Sequence, residues 1–342
     1  MSGGSETSGM PAEITVGEAL NLALHDALAA DPNVFLLGED IGDEQGGGIL
    51  GVTRGLSTTF GKARVRATPI SEQAIIGAGI GAALAGFRPV AEIMLMNFVT
   101  VAMDMLVNHA AKLRFMSGGQ TGVPLVVRTM TGSGFGNGGQ HSDYLEAWFA
   151  HVPGMKVVSY SNPADAYGLL LASIRDDDPT LFIENLGSYA LKGPAPQRGV
   201  PTPLGKAAIV RPGDDVTIIS YSTMVLRALA AADSLARQNI SCEVIDLRTI
   251  APYDLPTLVA SVGRTRRAVI VHEAVRKFGV GAEIAADLAG RFHGELKAPI
   301  VRLGGNYSAV PFSKPLESAY APGPKQIEEA VLAMIAEHSD GL

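Results

Sequence analysis

The chain has 342 residues, 47% of them hydrophobic and 18% charged, and carries a net charge of −7 at neutral pH. That length exceeds one typical domain and suggests two. The acidic balance argues against a binder of nucleic acid or anionic membrane, which needs a basic face. The single cysteine, Cys242, excludes an internal disulfide and a cysteine zinc site and fits a reducing, cytoplasmic setting.

The first eleven residues, "MSGGSETSGMP", are small and polar and read as a disordered tail (1–11). They lack the charged start and apolar core of a signal peptide. Thr15 and Glu18 stand at capping-box spacing and open a helix over "VGEALNLALHDALAA", whose apolar residues recur at helical spacing. A short buried strand, "VFLLG" (34–38), leads into the glycine-rich loop "EDIGDEQGGGILGVTRGL" (39–56). A helix over 74–87 precedes a strand over 89–95, and a helix over 100–115 precedes a strand over 124–129. The glycine-dense loop "GSGFGNGGQHSD" (132–143) follows, then a strand over 156–160, a helix over 163–176 and a strand over 180–185. The Pro- and Gly-rich stretch 186–205 marks a boundary. It divides the chain into a first domain over 12–190, a linker over 191–205 and a second domain over 206–338. In the second domain, strands over 215–222, 241–248, 267–273 and 298–304 each precede a helix, the last being "PKQIEEAVLAMIAEH". This alternation, with β-branched strands, predicts an α/β fold with a parallel sheet in each domain. No run of about 18 charge-free apolar residues predicts a membrane span.

One stretch poses a chemical question. In "TPISEQAIIGAGIGAALAGFRPVAEIM" (68–94), Glu72 heads an almost uncharged run, and a buried unpaired carboxylate is costly. Glu72 is therefore exposed, or neutralised, or protonated and used. The run Gly77-Ala78-Gly79-Ile80-Gly81 has the wrong spacing for a dinucleotide fingerprint and does not follow a strand directly. Small residues that let a helix pack closely account for it better. There is no phosphate-binding G-x-x-x-x-G-K-[ST] and no G-x-S-x-G. "HEAVR" (272–276) has Arg276 where a zinc protease needs its second histidine. His141 lies in a long glycine-rich loop after a strand, where open parallel sheets carry ligands, and is singled out on that ground. His272, at a strand end before Glu273, is balanced between a structural and a functional role. Asp176-Asp177-Asp178 end a helix against its macrodipole, and a hard cation would relieve them; a solvated turn is the plainer account.

Five stretches together carry a resemblance: "GEDIGDEQGGGILGVTRGL", the Glu72 stretch, "GGQHSDYLEAWFAHVPGMKVVSYSNPADAYGLLLASIRDDDPTLFIE", "VIDLRTIAPYD" and "HEAVRKFGVGAEIA". Over about residues 12 to 336 the chain resembles the β subunit of the thiamine-diphosphate-dependent decarboxylating component of 2-oxo acid dehydrogenase complexes, of pyruvate or acetoin dehydrogenase type. The resemblance implies two parallel-sheet α/β domains: a transketolase-like pyrimidine-binding domain, then a smaller transketolase C-terminal-type domain. It implies thiamine diphosphate as cofactor. Glu72 would hydrogen-bond the aminopyrimidine and share a proton with it from a dry, apolar pocket that raises its pKa. Ile70 would line the same site, Phe98 would stack on the ring, and Glu39 would approach the pocket. His141 would orient the substrate and assist transfer to a lipoyl group, a task suited to imidazole. Leu125, Ser173, Ile174, Asp176 and Asp178 match a structural monovalent-cation site, which implies potassium; Ser173 stands where Ala is usual.

The family's diphosphate site, a magnesium ion at G-D-G, has no counterpart here. The resemblance therefore implies an α subunit that brings magnesium, in a heterotetramer of two α and two β. The second domain would support β–β contacts and dock a lipoyl acyltransferase core. The leading expectation is oxidative decarboxylation of a 2-oxo acid, pyruvate before branched-chain substrates, with acylation of a lipoyl domain. Acetoin cleavage is the alternative. A non-catalytic scaffold and an independent nucleotide-binding enzyme are the other readings. Intact Glu72 and His141 weigh against the first of these, and the poor glycine fingerprint weighs against the second.

Overall fold

The computed structural model describes residues 12–339; the expected tail over 1–11 lies outside the described residues. The described strands in chain order are β1 (Glu13–Thr15), β2 (Val34–Glu39), β3 (Val65–Thr68), β4 (Arg88–Leu95), β5 (Val126–Thr131), β6 (Lys156–Ser159), β7 (Thr180–Asn185), β8 (Lys192–Pro194), β9 (Ala208–Arg211), β10 (Val216–Ser220), β11 (Cys242–Asp246), β12 (Thr249–Ala251), β13 (Ala268–Val275) and β14 (Val301–Gly305). Two sheets carry the fold. The larger has the order β12-β6-β7-β5-β4-β2-β3, and the smaller β14-β13-β10-β11-β9. Neighbours are parallel except at two edges, where β12 runs antiparallel to β6 and β9 antiparallel to β11. The sheets are thus parallel with antiparallel margins, not wholly parallel as the strand–helix alternation predicts. Such short segments carry no helix between them and leave little periodic signal. The same holds for β1 and β8, which pair antiparallel beside the larger sheet.

Local chemistry explains several elements. The Thr15 hydroxyl accepts from the Glu18 amide at 3.2 Å and the Glu18 carboxylate accepts from the Thr15 amide at 2.7 Å, so the capping box closes at the helix Val16–Ala30. The glycine run 77–81 lies inside the helix Glu72–Leu84, and a Cβ at Gly79 would meet the Leu125 side chain at 3.0 Å. Close packing accounts for Gly79, whereas a Cβ at Gly81 would meet nothing within 4 Å. The predicted helix over 100–115 is a longer, irregular path. It begins at Met96, where the Thr100 hydroxyl bonds the Asn97 carbonyl at 2.6 Å, and includes a π segment over Met105–Ala110. Among the described residues no helix is long and apolar enough to cross a membrane.

Separate hydrophobic clusters lie on the two faces of the larger sheet. Helices Val16–Ala30 and Pro163–Arg175 cover one face of the larger sheet with Leu20, Leu24, Tyr167 and Leu170. On the opposite face Ile76, Leu106 and Phe149 belong to the same hydrophobic cluster as Ile219, Leu258, Ile284 and Leu288 of the second domain. One hydrophobic cluster therefore spans both domains. The segment 191–205, expected as a linker, contains β8 and packs on the helix Pro163–Arg175, where the Thr202 amide bonds the Gly168 carbonyl at 3.0 Å. The strand β12, from the second half of the chain, adds an edge to the first sheet.

The seam between domains also holds polar groups. Tyr221, after β10, donates its hydroxyl to the buried Glu146 carboxyl, whose Oε2 has no protein partner. Burial pushes the Glu146 carboxyl up to about 7 from an ordinary 4.5. The folded state thus binds the proton more tightly than the unfolded chain does, and this contribution to stability is complete below pH 4.5 and lost as pH rises through about 7. Glu146→Gln is expected to remove that slope. Denaturant midpoints measured from pH 4.5 to 8 would show a flatter profile for the variant; an unchanged slope would count against the shift.

Candidate active site

Parallel pairing gathers the singled-out residues on one edge. The spatial order β3-β2-β4-β5 places four strand ends side by side. Ile70 and Glu72 follow β3, Glu39 ends β2, Phe98 follows β4, and His141 lies in the loop after β5. In open α/β sheets the carboxyl ends of the strands are where ligands bind.

Glu39 and Thr68 are register partners across β2 and β3, so Glu39 stands beside the turn that leads to Glu72. Burial, and next the carboxylates of Asp40 and Glu72, push the Glu39 carboxyl above its ordinary value. The two acids thus share one electrostatic neighbourhood. Glu72 opens the helix Glu72–Leu84 and is half-buried, while Ser71 and Gln73 beside it are exposed and Ile70 is 72% exposed. The dry pocket expected around Glu72 is therefore not closed by this chain's own side chains.

Phe98 and His141 meet edge to face, with ring centroids 5.4 Å apart. The neighbour of Phe98, Asn97, holds the histidine loop. Its amide donates to the Gly139 carbonyl at 3.1 Å and the Asp143 carboxylate at 2.9 Å, and its oxygen accepts from the Asp143 amide at 3.2 Å. The Thr131 hydroxyl, at the end of β5, bonds the Asp143 carbonyl at 2.7 Å. Sequence reasoning passed over Asn97, although a lone amide side chain just before a candidate aromatic at a strand end was a usable signal.

The other end of the loop is held by the second domain. Glu273 accepts from the Ser133 amide and hydroxyl, both at 2.7 Å. Glu317 accepts from the amides of Gly134, Phe135 and Gly136. Asn185, ending β7, donates to the Tyr144 hydroxyl at 2.6 Å and to Glu273 at 3.2 Å. In the "HE" pair at 272–273 it is Glu273 that faces the site. His272 is fully buried: its Nδ1 lies 3.0 Å from the Ala274 carbonyl, its ring stacks on Tyr221, and burial pushes its pKa down to about 4. It is a neutral core residue, which settles the balance in favour of structure.

The acidic triplet is matched by side-chain cations. Lys156 pairs with Asp176 and Asp178, Arg88 with Asp177 at 2.6 Å, and Arg114 with Asp178. The carbonyls expected to bind potassium also have protein donors: Leu125 accepts from the Thr180 amide at 2.9 Å, Ser173 from the Asp176 amide at 3.3 Å, and Ile174 from Arg88 at 3.2 Å. The Ser173 hydroxyl bonds Leu169 one turn back. Three cationic side chains thus stand against the three acids, so charge alone does not call for a bound cation. Among the described residues no group of His, Cys, Asp and Glu is arranged to hold a metal ion.

What the edge does offer suits the pyrimidine end of thiamine diphosphate. A half-buried carboxylate can exchange a proton with a ring nitrogen, an exposed aliphatic side chain can lie against a ring, and Phe98 supplies an aromatic face beside an imidazole.

Two family models cover the chain: the transketolase pyrimidine-binding domain matches residues 12–191 and the transketolase C-terminal domain residues 205–327. The chain is 43% identical to the β subunit of an acetoin:2,6-dichlorophenolindophenol oxidoreductase from Cupriavidus necator, over 94% of this chain and 97% of that one. It is 44% identical to the mitochondrial pyruvate dehydrogenase E1 subunit beta-1 of Arabidopsis thaliana, over 94% of this chain and 88% of that one. Against the pyruvate dehydrogenase E1 β subunit of Staphylococcus epidermidis the identity is 42%, over 95% and 99%. A solved split-gene transketolase, an inactive β4 tetramer, has the same fold, with a TM-score of 0.77 at 19% identity over 94% of this chain and 98% of that one. With the pyrimidine-binding and C-terminal domains both present, and relatives of this identity along nearly its whole length, the chain belongs to the transketolase-like family of thiamine-diphosphate-dependent dehydrogenase β subunits, which includes those of the pyruvate and acetoin enzymes.

Proposed function

We propose that this chain is the β subunit of a heterotetrameric dehydrogenase that decarboxylates pyruvate oxidatively and passes the two-carbon acyl group to a lipoyl domain. The observation that carries this reading is the convergence of Glu39, Ile70, Glu72, Phe98 and His141 on four adjacent strand ends. Acetoin cleavage is the second reading, favoured by the 43% identity to an acetoin oxidoreductase β subunit. Both substrates lead to the same two-carbon fragment, so one set of residues serves either.

When bound, thiamine diphosphate supplies the electron sink for breaking a bond next to a carbonyl. The rest falls to side chains. Glu72 holds and exchanges a proton at the pyrimidine ring nitrogen. Glu39, with its raised pKa, sits close enough to influence that proton. Phe98 fixes the ring plane, and Ile70 packs beside it. His141, braced against Phe98, orients the substrate and moves a proton at a ring nitrogen during transfer to the lipoyl group.

An α subunit completes the site by bringing magnesium for the diphosphate, since this sequence has no G-D-G. Exposed apolar side chains support a covering partner: Phe115 is 90% exposed, and Leu84, Phe87, Val101 and Met116 are exposed as well. The second domain supports β–β contacts and docks the lipoyl acyltransferase core. A cytoplasmic location accords with the single, buried, unpaired Cys242.

The deciding experiment is co-expression with the candidate α subunit. With magnesium and thiamine diphosphate, the pair is expected to reduce an artificial acceptor with pyruvate or acetoin, and the β chain alone is not. A preference for branched 2-oxo acids would overturn the substrate assignment, and activity of β alone would overturn the shared site. In the active pair, Glu72→Gln is expected to lower kcat by about a hundredfold or more with an unchanged thermal midpoint; normal turnover would remove Glu72 from the mechanism. His141→Ala is expected to slow transfer to a lipoyl domain by roughly a hundredfold.

A further inference from the structure

The glycine loop after β5 is gripped at both ends, and the upstream grip comes from the second domain. The Glu317 carboxylate is 4% exposed and sits in a nest of backbone amides: Gly134 at 2.7 Å, Phe135 at 3.2 Å and Gly136 at 3.0 Å. Successive amides of this kind form an anion-binding concavity, and here the chain's own carboxylate fills it. Among the described residues Glu317 has no ion-pair partner. The loop amides are therefore what compensates a buried charge, and neither the loop nor the carboxylate can withdraw without exposing an unsatisfied group.

The segment leading to Glu317 continues the grip toward the histidine. The Phe312 ring stands where a Cβ of Gly138 would lie, at a φ of +71° that suits glycine, and Ala309 approaches Gly139. The Gly138 carbonyl in turn accepts from the His141 amide at 3.2 Å. Downstream, Asn97 closes the other side. His141 is thus suspended between an amide of the first domain and a carboxylate of the second.

We propose that Glu317 is a positioning residue for His141: by occupying the amide nest at 134–136 it sets the loop from which the imidazole meets Phe98, and so couples the second domain to acyl transfer. This rests on the role given to His141 above. The test is a double-mutant cycle in the assembled α/β enzyme, with transfer to a lipoyl domain as the rate measured. Glu317→Ala is expected to lower kcat about tenfold or more, with the KM for the 2-oxo acid and the affinity for thiamine diphosphate within about twofold. In a His141→Ala background the same change is expected to cost nothing further, because its effect runs through the imidazole. Glu317→Gln, which keeps one acceptor oxygen, should restore part of the rate, and it carries the cycle if the alanine variant does not assemble. A wild-type rate in the Glu317 variants, or an equal loss in both backgrounds, would overturn the proposal and leave the role of His141 standing. Full transfer by His141→Ala alone would overturn that role, and the proposal with it.

Discussion

Parallel pairing is the constraint on which the rest depends. Strands that run the same way end on the same edge, and each must leave that edge by a connection that returns over a face of the sheet. Residues 39, 70, 72, 98 and 141 are spread over 102 positions of sequence, yet β3, β2, β4 and β5 are neighbours in the sheet. Their C-terminal connections therefore leave from one edge of the sheet. The candidate site is a consequence of strand order before it is a consequence of side-chain chemistry.

The second constraint is the shared core. Because Ile76, Leu106 and Phe149 share one hydrophobic cluster with Ile219, Leu258 and Ile284, the second domain is joined to the first, and its helix Val280–Arg291 lies against the helix Glu146–Ala150. Polar groups brought into that seam pair with one another, Tyr221 with Glu146, Ser133 with Glu273, and the loop amides with Glu317, while Glu146 Oε2 and His272 Nε2 are left without a protein partner. A long glycine loop would otherwise be free to sample many conformations, and fixing it costs conformational entropy. Charge-assisted bonds accepted by the buried carboxylates work against that cost. A similar logic operates inside the larger sheet, where Arg128 on β5 lies between Glu92 on β4 at 2.7 Å and Glu184 on β7 at 2.7 Å. One guanidinium thus bridges two carboxylates across three neighbouring strands, and the group lines a small pocket with Gly48, Leu50 and Met94.

Particular residues show how legible the fold was. The strands β2, β4, β5, β7, β10, β11 and β13 are apolar runs flanked by helical periodicity, and each was legible because burial on both faces demands such a run. The strands β1, β3, β8, β9 and β12 were not, being short and mostly at edges, where half of each strand faces a partner that only folding supplies. The surroundings of the acidic triplet were hidden for the same reason. Asp176, Asp177 and Asp178 are uncompensated in sequence, and the cations that balance them come from positions 88, 114 and 156. His272 and Glu273 are adjacent in sequence but face opposite sides of β13. One becomes a neutral core residue and the other an anchor for the glycine loop.

The sequence by itself determined the α/β class and the capping box at Thr15, and its ordered motifs singled out Glu39, Ile70, Glu72, Phe98 and His141 as candidates. Those properties follow from local periodicity, residue type and ordered motifs, all of which are written along the chain. Only the tertiary structure decided how those residues are held. Asn97, Glu273 and Glu317 reach the histidine loop through contacts spanning 42 to 183 positions. The openness of the Glu72 pocket, too, is a property of what surrounds it. Hydrogen bonds and desolvation depend on distance in space, and a one-dimensional pattern carries no measure of that distance until the strands have paired.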